Sequence, residues 1–235
     1  MMSKKFLIVL LFLLTVVGTQ VQAQYAYTPF EEFTKKKKAK TSASLIHSVN
    51  LQLGLYSPKM DYWNDTYLPN AGSSEELGSN MLIGGHMTFN LASEFRARAG
   101  VSYWSDKVEE KGLGLNEFKL SFTRFSLGAF YAPDFASFGE GFQLYGGFEA
   151  FYYDINNSLD MQSEEGNVSS EDMNGHDVSY APVIGIDKVF GDHLLIGAEF
   201  SYMIGKYTQA EIIASQSQKV SIAGPQLSLL VGYKF

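Results

Sequence analysis

The stretch QLSLLVGYKF, residues 226–235, decides the fold because its side chains alternate in character at every second position. One face of an extended chain carries only apolar residues, namely Leu227, Leu229, Val231, Tyr233 and Phe235. This period of two predicts a β-strand that separates two different environments. The apolar face ends in two aromatic rings, and such rings are favoured where a membrane meets water. The stretch therefore predicts a strand that closes a barrel in a lipid bilayer.

This strand resembles the last strand of bacterial outer-membrane β-barrel proteins, which alternates apolar residues up to a terminal Phe. The resemblance implies that Leu227, Leu229, Val231, Tyr233 and Phe235 form the signal read by the barrel-assembly machinery. It also implies contact with outer-membrane lipid and lipopolysaccharide. Over residues 44–235 the chain resembles the small eight-stranded barrels of the OmpA-transmembrane-domain and OmpX type, which carry an outer membrane protein β-barrel domain.

Composition narrows the class of protein. The chain has 235 residues, a formal net charge of −7 and no Cys. The absence of Cys excludes a disulfide framework and a thiolate metal site. No apolar run after the N-terminus reaches the length of a membrane-spanning helix, which excludes a helical membrane protein. The 14 Tyr and 18 Phe, against 6 Pro, favour strands.

The N-terminal residues have the pattern of an export signal. Lys4 and Lys5 precede an apolar run at 6–17, and Val21 and Ala23 supply a small-residue cleavage site. This pattern predicts a signal peptide at 1–23 and Sec-type export. Residues 24–42 are interpreted as a periplasmic, lysine-rich extension that includes the lysines of 35–40. The lysines are interpreted as solvated; the alternative is contact with anionic headgroups or a periplasmic partner, and no nucleic acid is expected.

Residues 43–235 are predicted to form a closed, antiparallel, eight-stranded, up-and-down transmembrane β-barrel. The strands are expected at 44–56, 81–91, 95–105, 117–132, 141–154, 178–187, 193–207 and 226–235. Longer connections at 57–80, 106–116, 155–177 and 208–219 alternate with short ones, as in barrels with periplasmic turns and extracellular loops. The apolar phase changes within the fourth strand, which predicts a β-bulge near Thr123 and Arg124. Outward aromatics at strand ends predict two interfacial girdles.

The inward face is expected to carry charge. The predicted ionic cluster, structural or gating, comprises Arg96, Arg98, Arg124, Glu149, Asp187, Glu199 and Lys234. Strand counting places Arg98, Arg124, Glu149 and Glu199 at similar depth, and the other three nearer the periplasm. Buried charges need partners, so we expect paired networks. Because eight strands leave room only for side chains, the cluster is interpreted as a plug; the alternative is a narrow path for small solutes.

Candidate chemistry outside this cluster is sparse. His47 is expected to face lipid on the periplasmic half of the first strand, which does not suit a Ser–His–acid site. No catalytic residue, cofactor or metal is therefore expected, although a lipid-modifying enzyme is an alternative. The acidic connection from Asp154 to Asp177 lacks the spacing of a calcium loop and is interpreted as solvated.

Three aromatic residues in the first long connection are the candidates for contact with a partner or a glycan: Tyr62, Trp63 and Tyr67. The alternative is that they pack on the barrel rim. The sequence thus favours a structural or surface-binding barrel acting through four extracellular loops. A subunit of a larger outer-membrane machine, with a periplasmic or cell-surface protein partner, is the next alternative.

Overall fold

The computed structural model describes residues 44–109, 114–139, 141–162, 168–210 and 217–235. The predicted signal peptide and lysine-rich extension lie outside the described residues. In chain order the strands are β1 (Ile46–Tyr56), β2 (Asn80–Asn90), β3 (Phe95–Glu109), β4 (Gly114–Tyr131), β5 (Ser137–Phe138), β6 (Phe142–Gln162), β7 (Val168–Phe190), β8 (Leu194–Met203), β9 (Lys206–Ala210), β10 (Ser217–Ser221) and β11 (Gly224–Lys234).

Eight of these strands close into a barrel, which confirms the predicted fold class. Every pairing is antiparallel, in the ring order β1–β2–β3–β4–β6–β7–β8–β11, and β11 returns to β1. Hydrogen bonds to both neighbouring strands continue to the end of the last strand. The Lys234 N–H donates to the His193 carbonyl (2.7 Å), and the Phe235 N–H donates to the His47 carbonyl (3.1 Å). Closure leaves these strands without a free edge, as a bilayer requires.

The side-chain alternation read from the last strand holds around the ring. Leu51 and Leu229 are 71% and 63% exposed, whereas their chain neighbours Asn50 and Ser228 are 3% and 1% exposed. A water-soluble barrel would have the opposite arrangement, because an apolar surface of this extent is not stable in water. The exposed face is therefore the lipid-facing surface.

Aromatic side chains mark both ends of this lipid-facing surface. Exposed rings at the loop end and at the turn end form the two predicted girdles. The loop-end girdle contains Tyr103, Tyr152, Tyr180 and Tyr202, and the turn-end girdle includes Phe95, Tyr131, Tyr233 and Phe235.

Several strands run further than the sequence predicted. β3 pairs with β4 as far as Glu109 and Glu117, and β6 pairs with β7 beyond Asn156 and Asn174. Much of the predicted loops at 106–116 and 155–177 is therefore paired strand. β9 and β10 pair with each other at the two ends of the connection predicted at 208–219 and extend slightly beyond it. Hydrophobic alternation ends where the membrane ends, whereas ladder hydrogen bonds need only paired backbone. The alternation in the sequence therefore indicates where each strand leaves the bilayer, and not where the strand itself ends.

The predicted bulge near Thr123 and Arg124 is wrong. The β3–β4 ladder runs without a register shift from Tyr131 to Glu117. On β4 three apolar residues, Phe118, Leu120 and Phe122, are fully buried and point inward, in phase with Arg124. The apparent change of phase arose from the assumption that every apolar residue faces lipid. In this barrel the inward face itself becomes apolar at the loop end.

The only helical segments among the described residues are short. The first connection holds a π-helical turn, Trp63–Tyr67, followed by α1, Leu68–Asn70, and a 3₁₀ turn, Asp134–Ala136, precedes β5. No helix in the described part of the chain is long and apolar enough to cross a bilayer.

Candidate functional site

The middle of the barrel interior is held by one shared arginine. The Nη2 atom of Arg98 on β3 lies 2.5 Å from Oε1 of Glu199 on β8, and Nη1 lies 3.8 Å from Oε1 of Glu149 on β6. The Tyr145 hydroxyl donates to the same Glu199 oxygen at 2.7 Å. The Arg98 guanidinium also lies over the Phe130 ring, 4.2 Å from its centroid. All these side chains are buried, so each charge has a partner in the low-dielectric interior.

A second ion pair lies nearer the turn end. Nη1 of Arg96 is 3.4 Å from Oδ2 of Asp187, and both side chains are slightly exposed. The structure therefore brings Arg96 and Asp187 together at this level, as the sequence predicted. Lys234, predicted at the same level, is partly exposed and belongs to none of the ion pairs formed by the described residues.

Arg124 departs from the prediction in depth and in partners. The β3–β4 register pairs it with Ser102, whereas Arg98 is paired with Gly128, so Arg124 lies nearer the loop end than Arg98. Its Nε donates to Ser102 Oγ and its Nη1 donates to Gln226 Oε1, both at 2.9 Å. The guanidinium lies 5.1 Å and 5.4 Å from the ring centroids of Tyr56 and Phe151. Arg124 thus caps the polar interior with neutral partners, at the boundary with an apolar layer.

His47 was predicted to face lipid, and that prediction is wrong. The side chains of His47 and Ser48 are both buried, at 7% and 1% exposure. The β1–β2 register shifts between Ile46 and Ser48, and this irregularity turns two consecutive side chains inward. His47 therefore joins His86 in lining the interior. Periodicity could not reveal this, because a bulge breaks the period that it relies on.

Two small cavities lie in the polar interior formed by the described residues. One cavity of about 10 Å³ lies near His47, His86 and Asp187. A second of the same volume lies between Arg98, Arg124 and Glu149. Each is of the size of one water molecule. Within the described chain, His86 Nε2 and Arg98 Nε have no protein hydrogen-bond partner, and both residues line these cavities, so a water molecule fits them.

The loop end of the interior is filled by an apolar layer that the sequence did not predict. The first connection, residues 57–79, folds back into the barrel mouth and buries Met60, Trp63, Leu68 and Leu77. The ring centroids of Trp63 and Phe118 are 4.9 Å apart. The β9–β10 hairpin contributes Tyr207, and the barrel wall contributes, among others, Trp104, Phe118, Leu120, Phe122, Tyr153, Ile155 and Met203. We call this set, wall and connection together, the apolar plug.

The plug changes the interpretation of the three loop aromatics. Trp63 is fully buried, and Tyr62 and Tyr67 are half-buried against the same cluster. The prediction that Trp63 is an exposed contact residue is wrong, and the alternative of packing on the barrel is confirmed. A signal for this was present: above Arg124 the inward positions of β4 turn from polar to apolar, which requires an apolar object inside the mouth.

Polar contacts at its edges hold the first connection in place. Asp106 of β3 accepts from Gly78 N (2.7 Å) and from Asn80 Nδ2 (3.0 Å). The Asn64 side chain accepts from Leu77 N and donates to the Leu77 carbonyl. The connection is thus closed on itself and tied to the wall.

The structure describes only part of the acidic connection predicted from Asp154 to Asp177. Glu164 and Glu165 lie outside the described residues, and Asp177 Oδ1 accepts from the next backbone N–H, that of Val178. Among the described residues no group of three or more His, Asp or Glu side chains is arranged to hold a metal ion.

Comparison with known proteins locates the fold. No family model matches the chain, and no curated protein matches it. Among solved structures, the outer membrane protein OprG from Pseudomonas aeruginosa gives a TM-score of 0.55 at 17% identity, over 82% of this chain and 97% of that one. At this identity the similarity shows the fold alone, which is that of the small eight-stranded outer-membrane barrels.

Two further solved structures match over similar lengths. Neisserial surface protein A gives a TM-score of 0.46 at 16% identity, over 83% of this chain and 99% of that one. Ail of Yersinia pestis, in complex with the heparin analogue sucrose octasulfate, gives 0.46 at 14% identity, over 81% and 98%.

Proposed function

Because the chain is an integral outer-membrane β-barrel, we propose that it acts as a closed barrel with a structural or surface-binding role, and not as a conduit. The observation that carries the proposal is the filled interior. The paired charges around Arg98 occupy its middle, and the apolar plug occupies the loop end. The two cavities between the described interior residues, each of about 10 Å³, are no larger than one water molecule.

The surface available to a partner lies on the extended hairpins. β3–β4 and β6–β7 continue past the loop-end girdle, where polar side chains replace apolar ones. Exposed charges, such as Lys107 beside Glu109 and Glu117, lie on these extensions. Trp63 is buried in the plug, and Tyr62 and Tyr67 are half-buried against it. The hairpins, rather than the first connection, are therefore the elements proposed to meet a cell-surface partner.

Conductance measurements test the closed barrel. Refolded protein in planar bilayers is expected to show no stable open level. A folded control is needed, and migration of unboiled protein on a denaturing gel supplies it, because folded barrels run differently from unfolded ones. A stable, large conductance from folded protein would overturn the proposal in favour of the small-solute porin.

Affinity isolation from native membranes tests the binding role against the machine-subunit alternative. A surface-binding barrel is expected to co-purify with a stoichiometric partner that is lost when the β6–β7 hairpin is shortened above the Asn156–Asn174 pair. A partner lost instead on deletion of residues 35–40 would favour a subunit of a larger machine. Shortening the β9–β10 hairpin is the matched control.

We propose no catalytic role, since His47 and His86 are enclosed in the barrel interior. Lipid A from cells with and without the gene is expected to have the same acyl pattern by mass spectrometry. A changed pattern would establish a lipid-modifying activity instead.

A further inference from the structure

The lipid-facing surface carries one charge. Across the eight described barrel strands, Lys188 is the only charged residue among the outward positions between the two girdles. It lies two residues from the turn end of β7 and is paired with Phe142, the first residue of β6. A cation on this surface needs a counter-charge, and its cost is lowest near the interface, where Lys188 lies.

Aromatic rings surround the Lys188 ammonium group. Its Nζ lies 4.6 Å from the ring centroid of Phe142 and 5.1 Å from that of Phe190. The Phe138 ring stacks on Phe142 with centroids 5.7 Å apart and planes inclined by 14°. Two rings therefore contact the ammonium, and neither supplies the negative charge that would neutralise it.

The adjoining turn adds a further apolar side chain. Phe135, in the 3₁₀ turn before β5, is 84% exposed. The other two turns at this end, residues 91–94 and 191–193, are shorter and have no such segment. Phe138, Phe142, Lys188 and Phe190 together form what we call the Lys188 patch, and Phe135 lies in the turn beside it.

We propose that the Lys188 patch binds one phospholipid of the periplasmic leaflet, with the headgroup phosphate on the Lys188 ammonium and the acyl chains running from the Phe rings toward the bilayer centre. The patch is continuous with the membrane-embedded surface, and this favours a lipid over a protein as its ligand. The patch runs directly into the membrane-embedded band, where Leu144, Ile184 and Ile196 are exposed on the same wall. A protein partner would have to enter hydrocarbon to cover it. The turn end is the periplasmic one because short turns lie on that side.

Retention of added lipid tests the phosphate contact. Phosphatidylglycerol is added to the full-length protein in dodecyl maltoside, and bound lipid is counted by native mass spectrometry. Lys206 is an exposed lysine of β9, and Lys206→Gln is the control. Wild type and this control are expected to retain one bound lipid at the same concentration of added phosphatidylglycerol. Lys188→Gln is expected to need at least fivefold more lipid, and Lys188→Arg to bind as wild type. Diacylglycerol, which lacks phosphate, is expected to bind all four proteins equally.

Equal retention of phosphatidylglycerol by folded Lys188→Gln and wild type would overturn the proposal. Gel mobility before and after boiling establishes that each variant is folded. Loss of binding in Lys206→Gln to the same extent would also overturn it, because the effect would then follow net charge.

A second test measures how deeply the turn before β6 lies in the membrane, and it changes no residue of the patch. Since the chain has no Cys, a single spin label can be placed at Ser137→Cys, with Ser93→Cys in a shorter turn as control. In phosphatidylethanolamine–phosphatidylglycerol vesicles, the label at 137 is expected to collide more with oxygen than with a water-soluble nickel chelate. The reverse preference at 137 would place the turn in water and contradict the proposal.

Discussion

Arg98 and Glu199 bridge the barrel interior, with Nη2 and Oε1 2.5 Å apart and both side chains about 95% buried. The two residues are 101 positions apart in the chain and lie on β3 and β8, which are not neighbours in the ring. The pair therefore links walls that share no backbone hydrogen bond. It joins the barrel across its centre as well as around its circumference.

Removing Arg98 is expected to cost more stability than removing Glu199. Arg98→Ala leaves two buried carboxylates, Glu199 and Glu149, without their cation, and loss of one partner of a buried pair costs about 3–5 kcal/mol. Glu199→Ala leaves Arg98 with Glu149, at 3.8 Å, so a smaller loss is expected. Urea unfolding in lipid vesicles, followed by tryptophan fluorescence, gives both free energies. Lys107→Ala, in an exposed pair, is the control and is expected to show no change. Equal losses for the two interior variants would contradict the shared-arginine arrangement.

Gly185 is expected to be required for the position of Tyr145. A Cβ atom at Gly185 would lie 2.4 Å from Tyr145 Cζ and 2.5 Å from its hydroxyl, so Gly185→Ala displaces the ring that donates to Glu199. Overpacking of this kind costs about 1–3 kcal/mol. Gly146→Ala is the matched control, because a Cβ there has only an ordinary contact at 3.6 Å. If both variants unfold at the same urea concentration, Tyr145 is not fixed by this contact.

Trp63→Ala is expected to open the mouth while the barrel stays folded. Trp63 is fully buried in the apolar plug, and truncation of a buried Trp costs about 3–5 kcal/mol. The loss falls on the first connection, which can open locally. Limited proteolysis of intact cells or vesicles is expected to cut within residues 57–79 in this variant and not in the exposed-residue control Asp65→Ala. An uncut Trp63→Ala protein would show that Asp106 and Asn64 hold the connection without the plug.

The plug is expected to weaken in strong alkali. Burial raises the pKa of the Tyr207 hydroxyl well above its ordinary value of 10.0. A folded-state pKa above the unfolded one gives stability that is complete below pH 10 and is lost as the pH rises beyond it. Proteolytic sensitivity of residues 57–79 is therefore expected to rise between pH 8 and pH 11 in wild type. Tyr207→Phe is expected to show a smaller rise, and an identical rise would assign the effect to other tyrosines.

The sequence by itself determined the membrane barrel. Eight strands, their lipid-facing residues, the two girdles and the inward placement of Arg96, Arg98, Glu149, Asp187 and Glu199 all follow from a period of two. Alternation reports which side of a strand is apolar, and a bilayer makes that difference large. These predictions are local, because each depends on residues within one strand.

Only the tertiary structure decided what the interior contains. The bulge that turns His47 inward, the neutral partners of Arg124 and the return of Trp63 into the mouth each depend on residues from several strands meeting in one place. Alternation records that one face differs from the other, but not whether an apolar face meets lipid or a folded-in connection. The inward Phe118, Leu120 and Phe122 mimic a change of phase for that reason, since hydrocarbon and a packed protein interior select the same side chains.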